Sequence, residues 1–200
     1  MEKIHIIITD DHQLFRNGLK ILLNSFPDFE VTGEASNGEE FVNLLKNTKA
    51  EIALMDINMP EMDGIEATRR GLRINPEINI IALSMYGEEE YYYKMIDAGA
   101  TVVIGSHPHV LQTVEYYNGG LIVYSLGNFV FDEYDDDAGR TGWLLRLNFD
   151  RKCLLNWDTI VSYIDPKTGF PYPKFDMKSP CGNRQSYEIA SCTAGKPLKE

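Results

Sequence analysis

The chain has 200 residues, a length that fits one large domain or two small ones. Hydrophobic residues make up 44% of it and charged residues 24%, values that exclude a disordered or collagen-like chain. The first hundred residues carry 18 acidic and 9 basic side chains, and the second hundred 12 and 10. Neither half has the basic surplus that binding a phosphate backbone requires. We therefore expect metals, phospho-donors and proteins as partners, and no nucleic acid.

The sequence also argues against a membrane or exported protein. Its apolar runs are strand-length and far shorter than the ~20 residues that span a bilayer, and its N-terminus is too short and too acidic for a signal peptide. The three cysteines are odd in number and lack Cys-x-x-Cys spacing; they are Cys153, Cys181 and Cys192. Free thiols fit a reducing compartment. We expect a cytoplasmic protein, and a Cys181–Cys192 disulfide only if the protein is exported.

Strands and helices alternate through the first half. Apolar, β-branched runs predict five buried strands: Ile4–Thr9, Phe29–Ala35, Ile52–Met55, Ile78–Leu83 and Thr101–Ile104. Helical spacing of apolar residues predicts four helices between them: one starting near Leu14, then Gly38–Leu45, Ile65–Ile74 and Glu88–Ala98. This alternation predicts an α/β fold with a doubly wound parallel sheet.

Polar side chains follow several of these strands. Asp10 and Asp11 come after the first strand, Asp56 after the third and Ser84 after the fourth. The carboxyl ends of parallel strands form the ligand-binding edge of such sheets. Carboxylates crowded there repel one another, and a hard divalent cation such as Mg²⁺ would relieve the repulsion. The alternative is that these acids only cap the helices that follow them.

Three motifs in order carry a family resemblance: IIITDDH at 6–12, LMDINMPEMDG at 54–64 and MIDAGA at 95–100. Together they resemble the response-regulator receiver domain of two-component signalling, over roughly residues 1–105. The resemblance implies a flavodoxin-like, five-stranded parallel sheet with the strand order 2-1-3-4-5.

The same resemblance implies roles for particular residues. Asp56 would be the phospho-acceptor, and Ser84 the switch hydroxyl that turns toward the acyl phosphate. Asp11, Asp56 and the backbone carbonyl of Asn58 would hold Mg²⁺, with Asp10 helping through water. The implied partner is a histidine kinase or a small phospho-donor.

The sequence departs from the receiver pattern after residue 100. Ser106 stands where receivers carry a lysine at the end of the fifth strand, and Val103 stands at the aromatic switch position. Loss of a charge-assisted bond to the phosphoryl group costs about 1.5–3 kcal/mol, so we expect impaired signalling. No fifth receiver helix is evident, and the sheet face near the fifth strand therefore needs another cover.

The second half is β-rich. Val110–Tyr117 and Leu121–Leu126 flank Asn118-Gly119, which predicts a hairpin with a type I′ turn. A short helix over Val110–Tyr117 is the alternative. Further strands are predicted at Phe129–Phe131, Trp143–Phe149 and Leu154–Ile164. Beyond Pro166 we expect an irregular tail.

A second resemblance begins where the first ends. The segments GATVVIGSHPHV at 99–110 and YSLGNFVFD at 124–132 resemble the C-terminal part of CapA-like poly-γ-glutamate capsule synthesis proteins, which are similar to metallophosphoesterases. His107 and His109 would correspond to that family's late metal-site histidines and would bind Mn²⁺ or Zn²⁺. The family's upstream ligands are absent, and a composite site with Asp10, Asp11 and Asp56 is a minor alternative.

The chain thus resembles a chimera joined near residues 96–100. We expect a receiver-like domain without its last helix at 1–105, a CapA-like fragment at 106–165 and a tail at 166–200. The first functional hypothesis is a phospho-acceptor module with at most autophosphatase activity. The others are a metal-dependent phosphoesterase or capsule-synthesis protein, and an inactive engineered chimera. Exposed strand edges, or helix four with strand five, could join copies into a homo-oligomer.

Overall fold

The computed structural model describes residues 2–85, 88–131, 136–150 and 153–174, together with the backbone of 187–188. Within these ranges, none of the helices has the length and apolar character needed to cross a bilayer.

Strands and helices alternate through the first half as the sequence predicts, and each bound lies within one residue of the predicted one. In chain order the elements are β1 (Ile4–Thr9), α1 (Gln13–Asn24), β2 (Phe29–Ala35), α2 (Gly38–Leu45), β3 (Ile52–Asp56), α3 (Gly64–Ile74), β4 (Asn79–Ser84), α4 (Glu89–Asp97) and β5 (Val102–Gly105). The Asn37 and Asp63 side chains cap α2 and α3 by accepting hydrogen bonds from backbone N–H groups of the first turn.

The strands form one seven-stranded sheet with the order β2-β1-β3-β4-β5-β7-β6. The first five pair in parallel, which confirms the predicted flavodoxin-like order. Since crossovers between parallel strands are right-handed, the reversal of strand order after β2 puts α1 on one face and the later helices on the other. All five carboxyl ends meet at one edge of the sheet.

A hairpin extends this sheet beyond β5. Its strands are β6 (Val114–Tyr117) and β7 (Gly120–Val123), and β7 pairs in parallel with β5. Asn118 and Gly119 have φ angles of 46° and 85°, and a type I′ turn requires positive values at both positions. The hairpin prediction is therefore confirmed over its helical alternative, but both strands are shorter than predicted, since 110–113 and 124–126 lie outside them. The described residues after α4 contain no helix.

A second, antiparallel sheet follows. Its strands are β8 (Thr141–Phe149), β9 (Leu154–Ile164), β10 (Pro171–Pro173) and β11 (Tyr187–Glu188). The predictions for β8 and β9 are confirmed, whereas β10 lies in the segment expected to be irregular. The strand predicted at Phe129–Phe131 is wrong. The Asn128 side chain donates to the backbone carbonyls of His109 and Gly139, so the chain turns here instead of pairing.

The second sheet covers the face that the missing fifth helix would leave open. Trp157 and Leu154 of β9 pack with four buried side chains of the large sheet, which are Ile81, Val102, Leu121 and Val123. The Trp157 indole N–H donates to the Tyr116 hydroxyl at 2.6 Å and so joins the two sheets. On the other face, α2, α3 and α4 enclose the larger core.

The cysteine expectation needs a correction. Cys153 takes part in a disulfide bond, so the expectation of three free thiols is wrong at this position. Cys153 lies directly before β9, and Cys181 and Cys192 lie outside the described residues.

The packing of the second sheet on the large sheet can be tested by replacing Trp157. Trp157 is 4% exposed, and replacing a buried tryptophan by alanine typically costs about 3–5 kcal/mol because it leaves a cavity. We expect Trp157→Ala to lower the free energy of unfolding by about that amount in urea denaturation. The matched control is Leu155→Ala on the same strand, where the residue is 38% exposed. Equal losses in the two variants would contradict this packing.

Candidate functional site

Asp10 lies at the carboxyl end of β1 and is mostly buried. Its Oδ1 accepts a hydrogen bond from the His12 backbone N–H at 2.7 Å, at the start of α1. Its backbone carbonyl accepts from Arg16 Nη1 at 2.6 Å. Asp10 therefore orders the turn that leads into α1 but does not cap the helix, because its partner is the N–H of the N-cap residue His12 and no side-chain hydrogen bond caps α1. Its other carboxylate oxygen is still available for a ligand.

His12 joins the two aspartates. Its Nδ1 lies 3.3 Å from Asp10 Oδ1 and 2.8 Å from Asp11 Oδ1. Among the described residues, these three side chains form the one group of possible metal ligands in which all the ligand atoms lie within 4.8 Å of one another. His12 belongs to the motif at 6–12, but the receiver resemblance implies no role for it. Its position directly after the aspartate pair is the signal that could have identified it.

Asp56 is the last residue of β3, which lies directly beside β1, the strand that Asp10 and Asp11 follow. The loop after it is closed by Gly64, whose backbone N–H donates to the Ile57 carbonyl at 2.8 Å. A Cβ at Gly64 would overlap the Asp56 carbonyl, so glycine permits this close approach. Asn58 is half-buried in the same loop, two residues beyond Asp56.

The Asp56 carboxyl is the most electrostatically perturbed acid in this part of the structure. Burial and the nearby charge of Asp10 raise its pKa from the usual 3.8 to about 6, and the charge of Asp11 adds to the effect. A hydrogen bond from the Ile57 backbone and the charge of His12 oppose the rise in pKa. Asp56 thus shares an electrostatic environment with the two aspartates of β1, although it does not belong to the compact group of three.

Ser84 ends β4, the strand next to β3. It is buried, and its side chain forms a hydrogen bond with the Tyr92 hydroxyl. Burial raises the pKa of Tyr92, which therefore stays neutral. The sequence does not predict this contact between Tyr92 and Ser84. It is one of three consecutive tyrosines on α4, and composition cannot say which of them points inward.

β5 ends at Gly105, and Ser106 follows as an exposed residue. Val103, at the position where receivers carry an aromatic residue, is fully buried in the core beneath the helices. The described site therefore offers no lysine at the position where the receiver pattern has one.

His107 and His109 lie in the loop after β5. The Asn128 amide donates to two backbone carbonyls, so its Oδ1 must accept the hydrogen bond from His109 Nδ1 at 2.8 Å. This arrangement puts the proton on Nδ1 and leaves Nε2 as the acceptor. The ring also stacks on Phe131 at 4.7 Å. Neither histidine belongs to a ligand group among the described residues, so the composite site with Asp10, Asp11 and Asp56 is not found there.

The model of the response regulator receiver domain matches residues 6–105, half of the chain. The chain belongs to this family. The model of the bacterial capsule synthesis protein PGA_cap matches residues 86–133, which confirms the second resemblance. The two matches overlap at α4 and β5, the region where the sequence predicts the join.

Similar proteins include the transcriptional regulatory protein DegU of Brevibacillus brevis, 41% identical over 99 residues, which cover 50% of this chain and 42% of that protein. The uncharacterized transcriptional regulatory protein YhcZ of Bacillus subtilis is 37% identical over 117 residues, which cover 58% of this chain and 55% of that protein. A crystal structure of a LuxR-family two-component response regulator from Aurantimonas sp. SI85-9A1 matches with a TM-score of 0.50 and 29% identity, over 54% of this chain and 78% of that one. The chain spans about half the length of the curated relatives it matches. Because those relatives are transcriptional regulators, the expected absence of nucleic acid stays a prediction.

The raised pKa of Asp56 predicts a pH-dependent stability. The folded state binds this proton more tightly than the unfolded chain does, so without metal the free energy of unfolding should fall as the pH rises from 3.8 to about 6. We expect Asp56→Asn to remove this contribution and to raise the melting temperature near neutral pH by ~2–4 °C.

The control for this experiment is Asp28→Asn, at an exposed position in the loop between α1 and β2. Calorimetry of both variants across the acid range measures the effect. A melting temperature that Asp56→Asn lowers near neutral pH would contradict the electrostatic argument.

Proposed function

We propose that this chain is a phospho-acceptor module of two-component signalling that is phosphorylated on Asp56. An oxygen of the Asp56 carboxylate attacks the phosphorus of a histidine kinase phosphohistidine or of a small phospho-donor. The P–N or P–O bond of the donor breaks, and the leaving group keeps the electron pair. The observation that supports this proposal best is the raised pKa of Asp56, which reflects the burial of its carboxyl first and the charges of Asp10 and Asp11 second.

The donor set fits a magnesium ion. Asp11 and Asp56 would supply carboxylate oxygens, Asp10 would help through water, and the Asn58 backbone carbonyl would complete the protein ligands. Hard oxygen donors of this kind suit Mg²⁺, and a divalent cation would offset the mutual repulsion that raises the pKa of Asp56. When bound, the ion would neutralise charge on the incoming phosphoryl group.

The remaining residues determine how well the module works. The Ser84 hydroxyl is the group on the neighbouring strand that could donate to a phosphoryl oxygen on Asp56. Ser106 carries no charge where receivers have a lysine, so we propose that the phosphorylated state forms slowly and is weakly stabilised. The cytoplasmic location stays a prediction.

Phosphorylation of Asp56 is tested directly. Incubation with Mg²⁺ and acetyl phosphate should add the mass of one phosphoryl group to the intact protein, and Asp56→Asn should abolish the addition. Beryllofluoride with Mg²⁺ should raise the melting temperature of the wild type and leave that of Asp56→Asn unchanged. If neither reagent affects the wild type, the chain is better described as an inactive chimera.

The lysine position provides a second test. A restored charge-assisted hydrogen bond should make the free energy of beryllofluoride binding more favourable by about 1.5–3 kcal/mol. We therefore expect Ser106→Lys to tighten beryllofluoride binding by about 10- to 100-fold in a calorimetric titration. Ser106→Gln is the matched control, because it adds length without charge. Equal affinities of the two variants would show that the missing lysine does not limit the site.

One observation favours a second candidate function. Asn128 holds the His109 ring with Nε2 as the acceptor, the form in which imidazole binds metals. In this second candidate function, His107 and His109 would take part in a Mn²⁺- or Zn²⁺-dependent phosphoesterase-like site. Hydrolysis of nitrophenyl phosphate esters should then depend on added metal and be lost in His107→Ala. The absence of further ligands among the described residues around these histidines ranks this candidate second.

A further inference from the structure

Glu61 adopts an unusual backbone conformation in the loop that follows Asp56. Its φ angle is 66°, in the left-handed region that residues other than glycine, asparagine and aspartate rarely adopt. The Met62 backbone N–H donates to the Pro60 carbonyl at 2.7 Å. A positive φ at the centre of such a three-residue turn defines the rarer, strained form of the γ-turn. Strain of this kind persists where the surrounding contacts hold it, and it is concentrated at functional sites.

Asn37 is the side chain that holds Glu61. It is buried at the N-terminus of α2, and its Oδ1 accepts a hydrogen bond from the Glu40 backbone N–H at 2.9 Å. The amide nitrogen therefore remains to donate, and Nδ2 donates to Glu61 Oε2 at 3.1 Å. A hydrogen bond from an amide to a carboxylate is charge-assisted and stronger than a neutral one. One buried amide thus caps α2 and fixes the γ-turn.

The rest of this loop is anchored as well. The Gly38 backbone N–H, also at the start of α2, donates to the Met62 carbonyl at 3.0 Å. Asn58 lies between Ile57 and Met59, whose residues are 1% and 8% exposed. The Asn58 peptide is therefore held on one side by the core and on the other by the γ-turn, which sets the path of the chain directly beyond it.

The Asn58 carbonyl is the one protein ligand of the proposed magnesium site that belongs to the backbone. It cannot adjust by rotation of a side chain, so the path of the loop decides where this oxygen lies. Mg²⁺ requires nearly ideal octahedral geometry with ligands at about 2.0–2.1 Å. Replacing residues that orient a metal ligand typically weakens metal binding by about 10- to 100-fold.

We propose that Asn37 and Glu61 are positioning residues of the magnesium site, because their hydrogen bond holds the γ-turn that orients the Asn58 carbonyl. Neither side chain is a ligand of the ion in this arrangement. The start of α2 thereby contributes to phosphorylation of Asp56 without supplying a reacting group. The inference rests on the proposed function of Asp56.

The experiment removes this hydrogen bond from either side and measures Mg²⁺ binding by calorimetric titration. Asn37→Ser keeps a capping oxygen for α2 but is too short to reach Glu61, and Glu61→Ala removes the acceptor. Each variant should bind Mg²⁺ about tenfold more weakly than the wild type. The double variant should bind no more weakly than either, because both substitutions remove the same bond.

Two further variants separate the hydrogen bond from the charge. Glu61→Gln keeps an acceptor oxygen and should bind Mg²⁺ nearly as the wild type does. Glu39→Ala removes an exposed acid from the first turn of α2 and should leave Mg²⁺ binding nearly unchanged. If Glu61→Gln is weakened as much as Glu61→Ala, the charge of Glu61 acts on the ion and the inference is overturned.

A carbon-13 signal separates positioning from a loss of stability. The carbonyl resonance of Asn58 should shift when Mg²⁺ is added to the wild type, and should shift less in Asn37→Ser and Glu61→Ala, whatever their melting temperatures. If the wild type binds Mg²⁺ and these variants match its affinity and its Asn58 shift, this inference is wrong and the proposed function stands. If the wild type binds no Mg²⁺, the proposed function fails and the inference fails with it.

Discussion

Electrostatic repulsion between carboxylates at the carboxyl edge of the sheet is the constraint on which the functional account depends. Parallel pairing brings the ends of β1 and β3 together, and three aspartates follow those ends. The Asp10 carboxylate is stabilised by a hydrogen bond from the His12 backbone N–H just before α1, and the Asp11 carboxylate lies 2.8 Å from the His12 ring. Asp56 has less compensation, since a backbone N–H and the more distant His12 are the groups that lower its pKa. Burial adds to the repulsion, and together they raise the pKa of the Asp56 carboxyl to about 6. A divalent cation beside it would favour the ionised form and lower that pKa.

A second constraint on the fold is that both faces of the large sheet must be covered, although the fifth helix of the receiver pattern is not found among the described residues. A doubly wound parallel sheet is stable in water when both of its faces are covered. α1 covers part of one face, and the antiparallel sheet of β8 and β9 covers the part near β5 and β7. The Trp157–Tyr116 hydrogen bond satisfies the indole N–H at this contact and fixes the two sheets relative to each other. The added strands are thus continuous with the receiver core.

The sequence predicts the receiver half to within a residue because each element there carries its own local signal. β-branched runs, side-chain caps such as Asn37 and Asp63, and acidic residues at strand ends are all short-range features. Phe129–Phe131 has the composition of a strand, but the long-range bonds of Asn128 to His109 and Gly139 turn the chain there. The partner of Ser84 could not be found either, because Tyr91, Tyr92 and Tyr93 are equivalent in composition and only packing on Gly105 distinguishes the middle one.

The two families meet at α4 and β5, and these elements also form the structural connection between the candidate site and the second half. The overlap of the two matches at 86–105 means that one helix–strand unit satisfies both patterns. Such a unit can pack on β4, as a receiver requires, and also present β5 as the partner of β7. Gly105 illustrates the consequence, since it pairs with Ser84 on one side and lies against the Tyr124 carbonyl on the other. Any change in the position of Ser84 must therefore be accommodated by the residues that join the receiver to the capsule-synthesis-like segment.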